Sequence, residues 1–300
     1  MAREGSGETR PRTERVAPDR RPRRQLNDHA GGGLPTVGAS RRGPDRRRAP
    51  LPTRVDELPL LPSEYDRALD AGLAELGLAL DAPARAALAT QARLLLAWNA
   101  AINLTSITDP ALIAIRHVVD SLAAVPLLAT RGAGLRVCDI GSGAGYPGLV
   151  LAAALPGSRV ALVESTGKKA RFLETAVAAA GLGDRVQVIA ARAEAVAADV
   201  RAGKLEPFDV VTARAVGSLA ELVELAFPLL VVGGALVAWK RADVSAELAV
   251  AERAAGALGG GNLTVHSIAA TGLEGHVLVV VDKRGPTPSA YPRDPGRRRW

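Results

Sequence analysis

The chain has 300 residues, of which 48% are hydrophobic and 23% are charged, so it can bury one large core or two small ones. Its single cysteine excludes an intramolecular disulfide framework. The net charge of +7 is unevenly spread, because residues 1–54 carry 14 arginines and 6 acids while residues 55–300 carry 24 bases and 25 acids. The positive net charge therefore indicates nucleic-acid binding only for the N-terminal segment.

Residues 1–60 are rich in arginine, proline and glycine and have almost no periodic apolar positions. Such a segment buries too little apolar surface to offset its chain entropy, so we predict a disordered basic leader. One interpretation is an arm that strengthens RNA binding through counterion release. The other is a solvated extension whose arginines reflect a coding bias, and composition leaves both open.

Residues 61–131 have helical periodicity and predict a small N-terminal helical region. The first helix begins at Ser63, where Ser63-x-x-Asp66 resembles an N-cap signal, and ends at Gly77. Further helices are predicted over residues 84–98 and 110–128, the latter broken near Pro126.

The most informative local pattern lies in residues 137–148, Val-Cys-Asp-Ile-Gly-Ser-Gly-Ala-Gly-Tyr-Pro-Gly. An apolar run ends in Asp139 and is followed by glycines at 141, 143 and 145, which predicts a buried strand, a tight turn and a helix start. Glycine permits positive φ and a close approach of the backbone to a ligand. The Gly-x-Gly-x-Gly spacing favours an S-adenosylmethionine-dependent methyltransferase over a dinucleotide-binding protein, although the loop alone is compatible with both.

After this loop, strands and helices alternate, which predicts an α/β fold with a mostly parallel, doubly wound sheet. The predicted strands cover residues 135–140, 159–164, 185–190, 208–213, 235–240, 262–268 and 276–282. The last two follow each other without a helix and predict a closing hairpin. We therefore expect a Rossmann-like, seven-stranded class I methyltransferase sheet in residues 132–285, followed by a basic tail over residues 286–300.

Polar residues at the carboxyl ends of these strands are candidates for ligand contacts, since open α/β sheets bind ligands at that edge. Glu164 can accept hydrogen bonds from both ribose hydroxyls of a nucleoside, or can simply cap a helix. Glu194, or the backbone beside it, can reach an adenine edge, or Glu194 can be an ordinary first-turn acid. Arg214 and Lys240 follow strands four and five, where RNA phosphate or the cofactor carboxylate would be met.

Six motifs occur in order over residues 60–296, and together they resemble one family. They are Trp98-Asn99-x-x-x-Asn103-Leu104-Thr105, His117-x-x-Asp120-Ser121-Leu122, the glycine loop with Tyr-Pro-Gly, the segment VESTGKKARFL at 163–173, Arg214-Ala215, and Lys283-x(7)-Tyr291-Pro-Arg293-x-x-Gly296. This pattern resembles the RsmG (GidB) methyltransferases. The resemblance implies methylation of N7 of a guanosine in 16S ribosomal RNA, with S-adenosylmethionine as the cofactor.

The resemblance also implies a set of cofactor-binding residues. These are Gly141, Tyr146, Ala193, Glu194 and Arg214. Asp139 and Gly143 are also predicted to bind the cofactor because they belong to the glycine loop. Glu164 is predicted to bind it because it lies at the carboxyl end of a strand.

Candidate contacts to the substrate RNA are Asn103, His117, Arg214, Lys240 and Arg293. Asn103, His117 and Asp120 have an alternative to RNA contact. They can form a capping and packing network that joins the helical region to the sheet, because His117 and Asp120 share a helical face. We assign no general base, since N7 of guanine already carries a lone pair, and we expect positioning of the reactants to dominate catalysis.

Two other functions remain open at the level of sequence, a methyltransferase for a small molecule and a noncatalytic RNA-binding protein on the same fold. The expected partner is 16S ribosomal RNA or the small ribosomal subunit. We expect a cytoplasmic monomer with no metal and no membrane contact.

Overall fold

A computed structural model describes residues 51–300. The N-terminal region begins with α1 (Ser63–Glu75) and α2 (Ala82–Ile102). The stop predicted at Gly77 is confirmed, because this glycine has a φ of +64° and the Leu78 N–H donates back to the carbonyl of Leu73. The predicted N-cap is wrong: Ser63 is already helical, and no side chain caps α1.

Residues 51–60 lie against α2. The indole N–H of Trp98 donates to the Pro52 carbonyl at 2.7 Å, and Arg93 donates to the carbonyls of Val55 and Pro59 at 2.7 and 2.8 Å. Residues 51–60, which the sequence assigned to the leader, are therefore packed on a folded helix, because its side chains hold these carbonyls. The rest of the predicted leader lies outside the described residues.

The third predicted helix spans Pro110–Ala129 but is not uniform. It consists of α3 (Pro110–Ile113), a π-helical segment (Ala114–Val119), α4 (Asp120–Leu122) and α5 (Val125–Ala129). Pro126 lies in the first turn of α5, where its missing N–H leaves no helical hydrogen bond unmade. Among the described helices, this stretch is long and apolar enough to cross a membrane by length and composition, and 56% of its most apolar window is buried inside the fold.

The sheet has seven strands, as predicted. They are β1 (Arg136–Ile140), β2 (Arg159–Val163), β3 (Val186–Ile189), β4 (Phe208–Arg214), β5 (Leu230–Arg241), β6 (Gly260–Ser267) and β7 (His276–Lys283). Their order is β3-β2-β1-β4-β5-β7-β6, and β7 runs antiparallel to both β5 and β6. The predicted closing hairpin is thus confirmed, and the strand order reverses between β1 and β4.

Helices cover both faces of this sheet. They are α6 (Gly148–Ala154), α7 (Gly167–Ala179), α8 (Ala193–Arg201), α9 (Leu219–Ala226) and α10 (Ser245–Ala257). One core cluster joins α6 and α7 to the N-terminal helical region, and the other lies under α8, α9 and α10. Trp98 of α2 meets Phe172 of α7 edge to face, with ring centroids 5.6 Å apart. The helical region is therefore packed on one face of the sheet and shares its core cluster.

Candidate functional site

The glycine loop lies at the carboxyl end of β1, where the strand order reverses. Gly141, Gly143 and Gly145 have φ values of +71°, +56° and +87°, so each needs a conformation that residues with a side chain rarely adopt. The Gly141 N–H donates to the carbonyl of Val163 at 2.9 Å. A Cβ on Gly141 would lie 2.5 Å from a methyl group of Val216. The three glycines are thus required by the backbone path of the loop, as the sequence predicted.

Gln91 of α2 supports the loop from the helical region. Its side chain is fully buried, and its amide donates to the carbonyl of Ala144 at 2.8 Å. A Cβ on Gly145 would lie 2.8 Å from the same amide nitrogen. Sequence reasoning missed this residue, although a glutamine on the buried face of α2 was the available signal.

Asp139 shapes the loop from within. Its side chain is 1% exposed, and it accepts hydrogen bonds from the hydroxyl of Thr212 at 2.8 Å and from the N–H of Gly148 at 3.2 Å. Burial raises the pKa of this carboxyl to about 6, against the opposing effect of those hydrogen bonds. Both carboxylate oxygens are engaged by protein groups that connect β1 to β4 and to the start of α6. Asp139 is almost fully buried between β1, β4 and α6, which is a supporting position in the loop, and its predicted contact with the cofactor stays a prediction.

Glu164 lies at the end of β2 beside the loop. One carboxylate oxygen accepts from the N–H of Gly143 at 3.0 Å and the other from the N–H of Thr166 at 2.7 Å. A carboxylate offers about four lone-pair sites, so two remain. An acceptor with spare capacity, set against a loop of positive-φ glycines, suits the hydroxyl-rich ribose of a nucleoside cofactor.

Arg214 joins the end of β4 to the helical region. It forms an ion pair with Asp120 at 2.9 Å and also donates to the carbonyl of Arg116 at 2.9 Å. Asp120 is 2% exposed, and its second oxygen meets Nδ1 of His276 at 2.9 Å. The indole of Trp239 donates to the Asp120 carbonyl at 2.8 Å. Asp120 is thus the centre of a buried polar network, the structural alternative that the sequence left open.

His117 belongs to the same network. Nδ1 lies 3.1 Å from an Arg214 nitrogen and Nε2 lies 2.9 Å from the Thr105 hydroxyl. Because a guanidinium can only donate, Nδ1 must accept, and its 3.2 Å contact with the Arg116 carbonyl is then not a hydrogen bond. Burial, with a further contribution from Arg214, lowers the pKa of His117 to about 4. His117 is therefore neutral at pH 7, with its proton on Nε2.

Tyr146 closes the loop against these two residues. Its ring stacks on His117 with centroids 4.7 Å apart, and the Arg214 guanidinium lies 5.5 Å from its centre. Of the five guanidinium N–H donors of Arg214, three have partners among the described residues. Two donors remain for a ligand. The structure thus brings together Tyr146, Arg214, Glu164 and the glycines, as predicted.

The predicted RNA contacts have different environments. Lys240 is paired with Glu247 at 2.8 Å, and Arg293 is paired with the fully buried Glu224 at 2.6 Å. His117 has partners on both ring nitrogens. In all three, polar atoms have partners within the protein, and their predicted contact with RNA stays a prediction. Asn103 is exposed and has a φ of 55° at the end of α2.

A cavity of about 400 Å³ opens at the opposite edge of the sheet. It lies at the amino ends of β1, β2 and β3, and Arg136, Arg159 and Arg185 contribute to its lining. Ligands of doubly wound sheets bind at the carboxyl ends of the strands. The glycine-loop edge is therefore the candidate site.

Comparison with known proteins finds one family that matches most of the described residues. The family described as GidB, rRNA small subunit methyltransferase G, matches residues 85–277. The ribosomal RNA small subunit methyltransferase G of Roseiflexus castenholzii is 47% identical over 200 residues, 67% of this chain and 83% of that protein. The protein of the same name from Geobacillus kaustophilus is 39% identical over 225 residues, 75% of this chain and 93% of that protein.

The chain belongs to this GidB family. The methyltransferase class and the small-subunit ribosomal RNA substrate class are thereby confirmed, and with them S-adenosylmethionine as the cofactor of the family. An O-methyltransferase from Bacillus cereus, solved in complex with SAH, is 20% identical with a TM-score of 0.50 over 73% of this chain and 100% of that one. This likeness supports the fold alone.

Proposed function

We propose that this GidB-family protein transfers a methyl group from S-adenosylmethionine to N7 of a guanosine in 16S ribosomal RNA. Membership of a family named for small-subunit ribosomal RNA methylation carries this proposal. We further expect it to act in the cytoplasm on the small ribosomal subunit or its RNA.

The geometry at the sheet edge supports the following assignment of cofactor-binding residues. We assign the ribose hydroxyls to the spare acceptor sites of Glu164, and the backbone approach to Gly141 and Gly143. The first turn of α8, at Ala193 and Glu194, is assigned to the adenine end. The two spare N–H donors of Arg214 suit the carboxylate of the cofactor. Tyr146 lies between the Arg214 guanidinium and the rest of the loop.

The chemistry at N7 suits the side chains that lie near this edge. Bound S-adenosylmethionine supplies an electrophilic methyl group, and guanine N7 has an in-plane lone pair. No proton has to leave the nucleophile, so no general base is needed. His117, Asp120 and Asp139 all have their polar atoms engaged within the described part of the protein. We infer that these groups hold the site rigid and orient the reactants.

The RNA contact is assigned to the surface around the same edge. Among the predicted contacts, Asn103 is an exposed residue. Arg214 lies 17% exposed beside the loop and offers positive charge to an approaching phosphate as well as to the cofactor. Lys240 and Arg293 are left out of this assignment because Glu247 and Glu224 already pair with them.

The substrate class is tested by incubating the protein with methyl-labelled S-adenosylmethionine and one of three acceptors: unmodified 16S RNA, small subunits lacking the modification, or no RNA. The proposal predicts label in 16S RNA from at least one RNA-containing reaction and no label without RNA. Activity on small molecules in the absence of RNA would support the alternative methyltransferase instead. Binding of RNA by a folded protein that incorporates no label would support the noncatalytic alternative.

A further inference from the structure

The segment of residues 291–300, which we call the tail segment, is anchored on a buried acid. Glu224 of α9 is fully buried, and Arg293 donates to both of its oxygens from Nε and from one terminal nitrogen, the latter at 2.6 Å. The Trp300 indole adds a hydrogen bond to Glu224 at 2.8 Å. A buried carboxylate is strongly disfavoured without such partners. The tail segment is therefore bound to the body of the protein by the charge of Glu224.

Aromatic rings complete this anchor. The Arg293 guanidinium lies 4.5 Å from the centre of the Trp300 ring and 5.3 Å from that of Tyr291. The two rings are stacked at an interplanar angle of 16°. Cation–π contacts of this kind are strongest where water is excluded. The Arg293 guanidinium thus contacts Tyr291 and Trp300, the two ends of the tail segment.

The tail segment also holds α8 at both of its ends. At the C-terminal end, Arg201 donates to the carbonyl of Tyr291. At the N-terminal end, Arg298 forms an ion pair with Glu194, and its Nε donates to the Arg293 carbonyl at 3.0 Å. The Arg298 side chain is 9% exposed. Because the tail segment contacts both ends of α8, it spans the whole length of this nine-residue helix, about 13 Å.

The first turn of α8 lies where the proposed function needs the adenine end of the cofactor. The end of β3 is fixed beside the proposed ribose acceptor, because the Glu164 N–H donates to the Ile189 carbonyl at 3.1 Å. Ala193 and Glu194 follow only a few residues later. Any tilt of α8 would therefore move its first turn relative to Glu164 and the glycine loop.

We infer that Arg298 is a positioning residue for cofactor binding. It draws the Glu194 carboxylate toward the tail segment and so fixes the first turn of α8 beside the glycine loop. This inference rests on the proposed function, since it takes S-adenosylmethionine as the ligand of this edge. It assigns to the tail segment a role in holding the methyl donor.

The test compares Arg298→Ala with Arg299→Ala, a neighbouring arginine that is exposed and has no side-chain hydrogen bond among the described residues. Calorimetry with S-adenosylmethionine is expected to give about tenfold weaker binding for Arg298→Ala and unchanged binding for Arg299→Ala. In methylation assays, the KM for S-adenosylmethionine should rise while the KM for RNA and kcat stay near those of the parent. Arg298→Lys should recover part of the affinity, because it retains the charge.

A double-mutant cycle separates positioning from general damage. Glu194→Gln combined with Arg298→Ala should be no worse than the poorer single variant, because both remove the same ion pair. Equal affinities for Arg298→Ala and Arg299→Ala would overturn the inference, as would a parent protein that fails to bind S-adenosylmethionine. A parent that binds it but methylates no RNA would instead contradict the proposed function and leave the binding comparison decisive for Arg298.

Discussion

At the scale of single residues, Glu164 lies beside the glycine loop, and its carboxylate has two hydrogen-bond partners and two spare acceptor sites. The change Glu164→Gln removes the charge and replaces one oxygen by a donor. Loss of charge-assisted hydrogen bonds to the ribose should weaken S-adenosylmethionine binding about 10- to 100-fold in calorimetry. Glu174→Gln, the same change at an exposed position of α7, is the control and should bind normally. Equal affinity of the two variants would show that Glu164 does not contact the cofactor.

His117 carries a prediction about pH. Its folded-state pKa of about 4 lies below the ordinary histidine value of 6.5, so the unfolded chain binds the extra proton first as the pH falls. Its contribution to stability is complete above pH 6.5 and is lost as the pH drops toward 4, about 2 kcal/mol by pH 5. The decrease in unfolding free energy between pH 7.5 and 5 should therefore be smaller in His117→Asn than in the parent. Identical decreases in urea denaturation would contradict a buried neutral His117.

The residues that lie where the sequence predicted are those whose position follows from the course of the backbone. Gly141, Gly143 and Glu164 follow strands, and the carboxyl ends of parallel strands meet at one edge. Lys240 and Arg293 also follow strands or motifs, yet Glu247 and Glu224 neutralise them. Those acids are 7 and 69 residues away in the chain, and no local pattern indicates such a pairing.

At the scale of elements, the glycine loop depends on both backbone conformation and space. In Gly141→Ala, a new Cβ would combine a φ of +71° with a 2.5 Å contact to Val216, so we expect the loop to shift and cofactor binding to fall at least 100-fold. Gly181→Ala is the matched control, with a φ of +66° and nothing within 4 Å of the new Cβ. It should cost about 1 kcal/mol of stability through backbone strain and leave cofactor binding intact. Comparable reductions in binding for both variants would contradict this steric account.

The predicted secondary structure was most accurate in elements whose apolar residues keep a single spacing from end to end. The seven strands and the closing hairpin followed from alternating apolar runs and turns. The π-helical segment Ala114–Val119 did not, because its signal is a shift in hydrogen bonding rather than in composition. Likewise β5 begins at Leu230, earlier than the predicted residue 235, because Val231 to Gly234 continue the strand across a register shift opposite β4.

At the scale of the whole molecule, the basic charge is concentrated in the leader, and the rest of the chain is nearly neutral. Removing residues 1–48 takes away most of the leader arginines but keeps residues 51–60, which contact α2. RNA affinity should fall mainly at low salt, and the slope of log affinity against log salt should become shallower by about 0.7 to 0.9 for each phosphate that the leader neutralises in the full-length protein. Substituting the leader arginines by glutamine at constant length should have the same effect. An unchanged slope would show that the leader does not bind RNA.

The central claim concerns the atom that is methylated. The most direct measurement is nucleoside analysis and position mapping of 16S RNA from cells with and without the gene, with the Glu164→Gln variant returned to the deletion strain. N7-methylguanosine should be present at one position with the gene, absent without it, and poorly restored by the variant. An unchanged N7-methylguanosine content, or the disappearance of a methyl group from any other atom, would contradict the account.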